Sequence, residues 1–279
     1  MKKSTLPPAL LLPLTAALGS YALGLGVLHY LGKHIHAGVA LQGLLWVWLI
    51  LGATYTLTLA FEKKTPADRQ RLLLAAFALL AAAAVITTWL HWQKALNLPA
   101  ALIQLTLVLL GVAYSTPPMR WRYGGYGEAV HAAAITLFPP ALAYLLQQNS
   151  LHRFVGMLSL PLFFTYFAAL LAWEFPNYLA DLKAERRTIL TRLDWRLTMR
   201  LHNLALLIAF LLLALDVPLG VPWELVAPCG ITFVAAALQV WAFERIAAGA
   251  HPLWKWIRLN AALIYGLTTY LLVFTLWKV

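Results

Sequence analysis

The sequence predicts an all-α integral membrane protein, a bundle of nine transmembrane helices with its N-terminus on the cytoplasmic side. Three observations carry the prediction. The 279 residues are 62% hydrophobic and only 11% charged, against about 25% charged in soluble domains. Apolar runs of about 20 residues, the length a helix needs to cross the hydrocarbon core, recur nine times along the chain. The basic residues, finally, collect in alternate loops instead of spreading evenly.

Taken in order, Lys2 and Lys3 precede the first run, 8–30, as in a signal peptide. No small-residue cleavage site follows, so the run is read as a retained first helix. The second run, 39–61, leads into the polar loop EKKTPADRQR. The third, 72–92, closes with Trp89 and Trp92, and the fourth spans 97–116. After the loop PMRWRYGGYGE come 128–148, with Pro139 and Pro140, and 155–177, with Pro161 and Pro176. Kinks are tolerated inside membrane helices because neighbours satisfy the freed carbonyls. The runs 198–216, 223–247 and 258–277 complete the set, the last preceded by Trp254 and Trp256. Both tryptophan pairs suit an aromatic belt at the interface. No soluble domain is inserted, and residues 1–279 read as one transmembrane domain.

Nine spans place all but Lys33, Lys94, Arg153 and Lys278 of the 21 lysines and arginines on one side. The positive-inside rule makes that side cytoplasmic, in the plasma membrane, with the C-terminus outside. A net charge of +11 suggests nucleic acid, but basic residues scattered between apolar runs are explained by topology, so no nucleic acid is expected. The single cysteine, Cys229, lies in an apolar run, which excludes a disulfide framework or a cysteine metal site. Asp216 and Glu224 fall on the outer side and read as solvated.

The stretch WEFPNYLADLKAERRTILTRLDW, 173–195, is where an apolar run gives way to an amide, carboxylates and arginines. Polar groups at a membrane boundary are costly unless they are used or paired. On a helix Asn177 and Asp181 share a face, with Glu174 and Glu185 a turn away on either side. Lys183, Arg186, Arg187, Arg192 and Arg196 follow. Mg²⁺ takes carboxylates plus phosphate oxygens, and arginine forks onto phosphate. Such a stretch therefore suits a magnesium-bound diphosphate, and equally a positive cytoplasmic loop with i,i+4 ion pairs. Glu128, after Gly127, is either a carboxylate favoured at a helix N-terminus or a site group. His91, His131 and His202 have no partner at metal-ligand spacing, which leaves them interface or hydrogen-bonding roles. Glycine-rich phosphate loops, HExxH and nucleophile elbows are absent.

Two segments carry a family resemblance. Residues 176–193 follow without a gap the pattern PDYEADxxAGKRTLxVRLG, and YSTPPMRWRYGGYGE, Tyr114 to Glu128, follows Y-(S/T)-x-x-P-x-(R/K)-(L/W)-K-(Y/R)-x-G-x-GE. Pro13 to Gly24 match more weakly. The chain thereby resembles the UbiA superfamily of intramembrane prenyltransferases, most of all its menaquinone/phylloquinone branch. The resemblance implies transfer of a polyprenyl group from an isoprenoid diphosphate to a lipophilic, aromatic acceptor, with Mg²⁺ held by two aspartate motifs. By that likeness Asp181 and Asn177 take the catalytic and metal positions, with Glu185 as a further metal candidate. Arg120, Arg122, Lys183, Arg186 and Arg187 would hold the diphosphate. Tyr114, Tyr166, Trp173 and Tyr178 are candidates to line the prenyl and acceptor cavity, with simple packing as the alternative.

The sequence also departs from the pattern. In register from Gly52-Ala53, Leu57 stands where the first motif has asparagine, and Thr58 and Phe61 where it has aspartates. Only Glu62 and Asp68 are nearby. Asn177 replaces the first aspartate of the second motif. Each lost carboxylate removes a charged Mg²⁺ ligand. Either the metal shifts toward Asp181 and Glu185, or the arginines hold diphosphate without metal. A different outcome is a catalytically lapsed member that binds isoprenoid or lipid, or serves as a subunit of a membrane complex. A small transporter would show paired broken helices and midplane charges, whereas these charges cluster at one face.

Overall fold

A computed structural model describes residues 8–63 and 65–278, with side chains from Leu12 onward. Lys2, Lys3 and Lys64, counted above on the basic side, lie outside the described residues. The elements are α1 (Pro8–Tyr30), α2 (Ala37–Glu62), α3 (Pro66–Trp92), α4 (Leu98–Ser115), α5 (Gly127–Thr136), α6 (Phe138–Leu145), α7 (Arg153–Glu174), α8 (Tyr178–Lys183), α9 (Ile189–Leu193), α10 (Trp195–Asp216), α11 (Trp223–Val226), α12 (Gly230–Ala247) and α13 (Trp254–Lys278). Among the described residues nine helical spans are long and apolar enough to cross a membrane. Three of them are composite: α5 with α6, α7 with α8, and α11 with α12.

Each break has a local cause. Pro139 and Pro140 lack the N–H groups that would continue α5, so the chain restarts as α6 after Leu137. Gly24 of α1 meets that restart so closely that a Cβ there would lie 2.2 Å from the Pro140 carbonyl oxygen. Small residues permit such close approach between membrane helices. Pro176 likewise ends α7 in a 3₁₀ turn, Phe175–Asn177, and α8 follows from Tyr178. The third and ninth helices begin earlier than their apolar runs. Thr65 and Pro66 start α3, where Thr65 Oγ1 donates to Asp68 Oδ2 at 2.6 Å. Trp254 and Trp256 lie inside α13.

Helix α7 is the hub, packed by α1, α5, α6, α10 and α13. Leu158, Leu162, Tyr166, Leu171 and Ala172 are fully buried along it. By contrast α3 is peripheral and turns Leu74, Phe77 and Val85 outward, the surface a lipid-facing helix needs. Hydroxyls within the spans bond back into their own helices, as Thr54 to the Ile50 carbonyl and buried Thr136 to that of Ala132, both at 2.8 Å. One expectation is corrected. Asp216 is not solvated but 4% exposed, because the turn after α10 folds back and Val221 N–H donates to the Asp216 carbonyl at 2.9 Å. The end of α2 at Glu62, the loop 116–126 and the turn 184–188 before α9 gather at one end of the bundle, and the site lies there.

Candidate active site

The α7–α8 break places the carboxylates. Glu174 ends α7 and Asp181 lies in α8, 8% exposed. Helix α8 then stops in a Schellman turn: Glu185 N–H donates to Leu182 O at 3.2 Å and Arg186 N–H to Asp181 O at 3.0 Å. Glu185 adopts φ 52°, the left-handed conformation this position demands. The turn brings Arg186 Nη1 within 3.3 Å of Asp181 Oδ1. Thr188 next caps α9, accepting from Thr191 N–H at 3.2 Å while Thr191 Oγ1 accepts from Thr188 N–H at 2.9 Å.

The loop between α4 and α5 closes over this turn. Glu128 Oε1 accepts from Ile189 N–H at 3.1 Å, and Arg192 Nη1 donates to Gly124 O at 3.2 Å. Gly125 has φ 80°, and a Cβ there would fall 2.0 Å from Arg192 Cδ, so the two loops fit only with glycine at that point. Arg122 pairs with Glu62 of α2 at 3.3 Å, and the Tyr123 hydroxyl also donates to Glu62. The guanidinium groups of Arg120, Arg122 and Arg186 lie 5.1, 5.4 and 5.6 Å from the Tyr123 ring centroid. Half-burial, then the hydrogen bond to Glu62, hold the Tyr123 phenol above its ordinary pKa.

These contacts enclose a polar cavity of about 410 Å³ lined by Tyr114, Arg122, Tyr123, Glu128, Glu174, Asn177, Asp181, Arg186 and Thr188. Glu128 and Glu174 share this lining, and each has one oxygen buried without a partner. Two carboxylates in one buried site need a proton or a cation between them. Tyr114 and Arg122 also line an adjoining apolar cavity of about 280 Å³, with Ile50, Leu107, His131 and Leu170. Tyr166 and Trp173 line that cavity and a further one of about 320 Å³ between α1, α7 and α13. A charged chamber therefore shares wall residues with an apolar one.

Of the sequence candidates, Tyr114, Arg122, Asn177, Asp181 and Arg186 line the polar cavity, and Tyr166 and Trp173 the apolar ones. Arg120 donates instead to Phe61 O at 3.2 Å, and Tyr178 packs against the apolar cluster that contains Phe175 and Phe243. Lys183, Glu185 and Arg187 are exposed on the turn outside the lining. Thr58 is 5% exposed, bonded to Thr54 O at 2.8 Å and to Ser115 Oγ at 3.0 Å. Glu174 and Glu128 join the candidates in the polar cavity: both are carboxylates within spans, and Glu174 lies one helical turn before Asn177 on the chain.

Among the described residues no group of three or more His, Cys, Asp or Glu side chains forms a metal cage. Mg²⁺ asks for less, one or two carboxylates with phosphate oxygens and water completing the octahedron. The unpartnered oxygens of Glu128 and Glu174 fit that requirement.

A family model described as UbiA prenyltransferase family matches residues 64–264. Comparison with curated proteins gives no match.

Proposed function

Because this integral membrane chain belongs to the UbiA prenyltransferase family, we propose that it transfers a polyprenyl group from an isoprenoid diphosphate to a lipophilic, aromatic acceptor. The observation that carries the reading is the junction at Tyr114 and Arg122, where a chamber of carboxylates and arginines adjoins an apolar one. An isoprenoid diphosphate has the same two-part chemistry. In this reading Arg122 and Arg186 hold the diphosphate by bidentate pairing, releasing Glu62 and Asp181. Asn177 contributes an amide oxygen to the same chamber.

Mg²⁺, held by Glu128 and Glu174 with Asp181 beside them in the lining, would supply charge stabilisation for the departing diphosphate. These carboxylates stand in for the first aspartate motif, which we read as lost at Thr58 and Phe61. Tyr114, Tyr166 and Trp173 surround the path with ring faces, which attract a cation, and the apolar walls exclude water. The likeness to the menaquinone/phylloquinone branch favours a quinone precursor as product. The basic loops support a cytoplasmic site and N-terminus in the plasma membrane, and in this reading residues 1–279 act as one domain. One observation favours a second reading, a lapsed member that binds isoprenoid without turnover: both chamber arginines already pair with carboxylates, at 3.3 Å each.

The test is a thermal-shift titration of the detergent-purified protein with geranylgeranyl diphosphate, in Mg²⁺ and in EDTA. A ligand confined to the native state stabilises by about 2.7 kcal/mol at a hundred times its Kd. Stabilisation that requires Mg²⁺ and is lost in Asp181→Ala supports the transferase. Stabilisation indifferent to EDTA supports the lapsed binder. No shift in either condition refutes both.

A further inference from the structure

A groove of about 510 Å³ runs between α10 and α12, and none of its lining residues belongs to the cavities described above. Its walls face outward: Leu204, Leu207, Phe233 and Trp241 are all exposed. From Phe233 to Glu244 the helical rise gives it a length of about 17 Å, roughly half the ~30 Å hydrocarbon core. One acyl chain of one leaflet has that reach. The polar end of the groove is charged in a specific way. Glu244 and Asn203 line it, and Glu244 Oε1 accepts from Asn203 Nδ2 at 2.8 Å. Asn203 Oδ1 lies in turn 3.1 Å from Nδ1 of His202, which is buried against the Phe243 ring. The asparagine is neutral and leaves the carboxylate charge unmatched. Among the described residues Glu244, Arg200 and Arg245 form no ion pair. Arg245 leans back along its own helix, with its guanidinium 5.5 Å from the ring centroid of Trp241 in the groove wall. Arg200 lies one turn before Asn203 and Leu204 on the same face of α10. One carboxylate and two arginines, none of them ion-paired, thus stand at one end of an apolar groove.

We infer that this groove is a binding site for a phospholipid with a primary-amine head group, phosphatidylethanolamine. The ammonium donates to Glu244, whose other oxygen Asn203 already engages, and so supplies the cation that this carboxylate lacks. Arg245, with Arg200, holds the phosphate, which matches the guanidinium fork. One acyl chain lies along Leu207, Phe210 and Val240, and the other stays in the bilayer. Charges at a membrane boundary are costly unless they are used or paired, and this head group pairs both signs at once. Phosphatidylcholine has no N–H to give Glu244. Phosphatidylglycerol satisfies the arginines but brings no cation to the carboxylate. A second copy of this chain fits the groove less well, because a two-fold axis along the membrane normal sets Arg200 and Arg245 against their own copies.

The experiment is native mass spectrometry of the delipidated protein in detergent, incubated with an equimolar mixture of dioleoyl phosphatidylethanolamine, phosphatidylcholine and phosphatidylglycerol. Melting temperatures without lipid are recorded alongside. Wild type is expected to retain one phosphatidylethanolamine with about tenfold preference over either competitor, the size of one charge-assisted hydrogen bond. Glu244→Gln keeps an acceptor for Asn203 and removes the charge, and should lose that preference while still binding lipid. Arg245→Gln should weaken retention of all three lipids by about tenfold. Ala237→Phe fills the groove from its exposed α12 wall and should abolish retention. If it fails to fold, Leu204→Trp fills the groove from α10 instead. Equal retention of the three lipids by wild type overturns the inference. So does a preference for phosphatidylglycerol, which would mark a generally basic face, or a preference that Glu244→Gln leaves unchanged. Undiminished retention in Arg245→Gln or in the groove-filled variant overturns it as well, and a lipid-free dimer would give the groove to a second copy. No readout involves a prenyl diphosphate, so failure here leaves the proposed transfer standing.

Discussion

Replacing Glu185 by glycine separates two roles that the sequence alone left together. As a metal candidate Glu185 would be needed for any Mg²⁺-dependent step. In the structure it occupies the left-handed position of the α8 Schellman turn at φ 52°, with its side chain exposed. Left-handed backbone costs an L-residue about 1–2 kcal/mol, and glycine is exempt. Glycine's greater freedom in the unfolded chain returns about 0.5–1 kcal/mol of that gain. Glu185→Gly is therefore expected to stabilise by about 0.5–1 kcal/mol, since the exposed side chain has little packing to lose. For a chain of this size that is a rise of about 1–3 °C in Tm. Glu185→Gln, which keeps the strain and removes only the charge, should melt within about 0.5 °C of wild type. Scanning fluorimetry in one detergent, with and without Mg²⁺ and geranylgeranyl diphosphate, reads both effects. A lower Tm for Glu185→Gly, or loss of the Mg²⁺-dependent shift in it, refutes the turn assignment and makes Glu185 a ligand.

Three further outcomes follow from single contacts. Gly127→Ala puts a Cβ 2.8 Å from Arg122 Cα and from the Trp121 carbonyl oxygen. Both are backbone, so the loop carrying Arg122 must move, and affinity for geranylgeranyl diphosphate should drop by about tenfold or more in a thermal-shift titration. Glu128→Ala leaves the Ile189 N–H without its acceptor. It should destabilise by about 1–3 kcal/mol, while Glu128→Gln, which keeps an acceptor oxygen, should recover most of the loss in the same melt. Trp173→Phe removes the indole hydrogen bond to the Arg258 carbonyl, 3.0 Å long, that ties α7 to α13. A loss of about 1 kcal/mol is expected, and an unchanged Tm would show that this contact does not hold the two helices together.

The spans were legible because bilayer thickness fixes helix length and every buried backbone group must bond within its own helix. The run 8–30 coincides with α1, and 223–247 with α11 and α12 together. Helix starts were less legible where polar residues belong to the helix, as at Thr65-Pro66 and Trp254, because hydropathy measures burial in lipid and not backbone bonding. At the site, spacing alone brought Asn177 and Asp181 to one face, and both line the polar cavity. Glu128 and Glu174 lie on different helices, and only packing of α5 on α7 brings them together. The i,i+4 spacing of Asp181 and Glu185 does not become a shared helix face, since the helix ends between them and Glu185 takes the left-handed turn. Lys183 and Arg187 leave the lining through the same turn, which keeps Arg186 on Asp181.

The most direct measurement is competition for the two-part cavity. Displacement of radiolabelled geranylgeranyl diphosphate is followed with geranylgeraniol and with inorganic diphosphate, on wild type and on the Arg122→Ala/Arg186→Ala double variant. If the polar chamber holds the head group and the apolar one the chain, neither fragment competes within about 100-fold of the whole ligand. The double variant then loses the preference for diphosphate over alcohol, because charge-assisted pairs supply it. Equal competition by geranylgeraniol on wild type, or an undiminished preference in the double variant, would contradict the assignment of this chamber to the diphosphate.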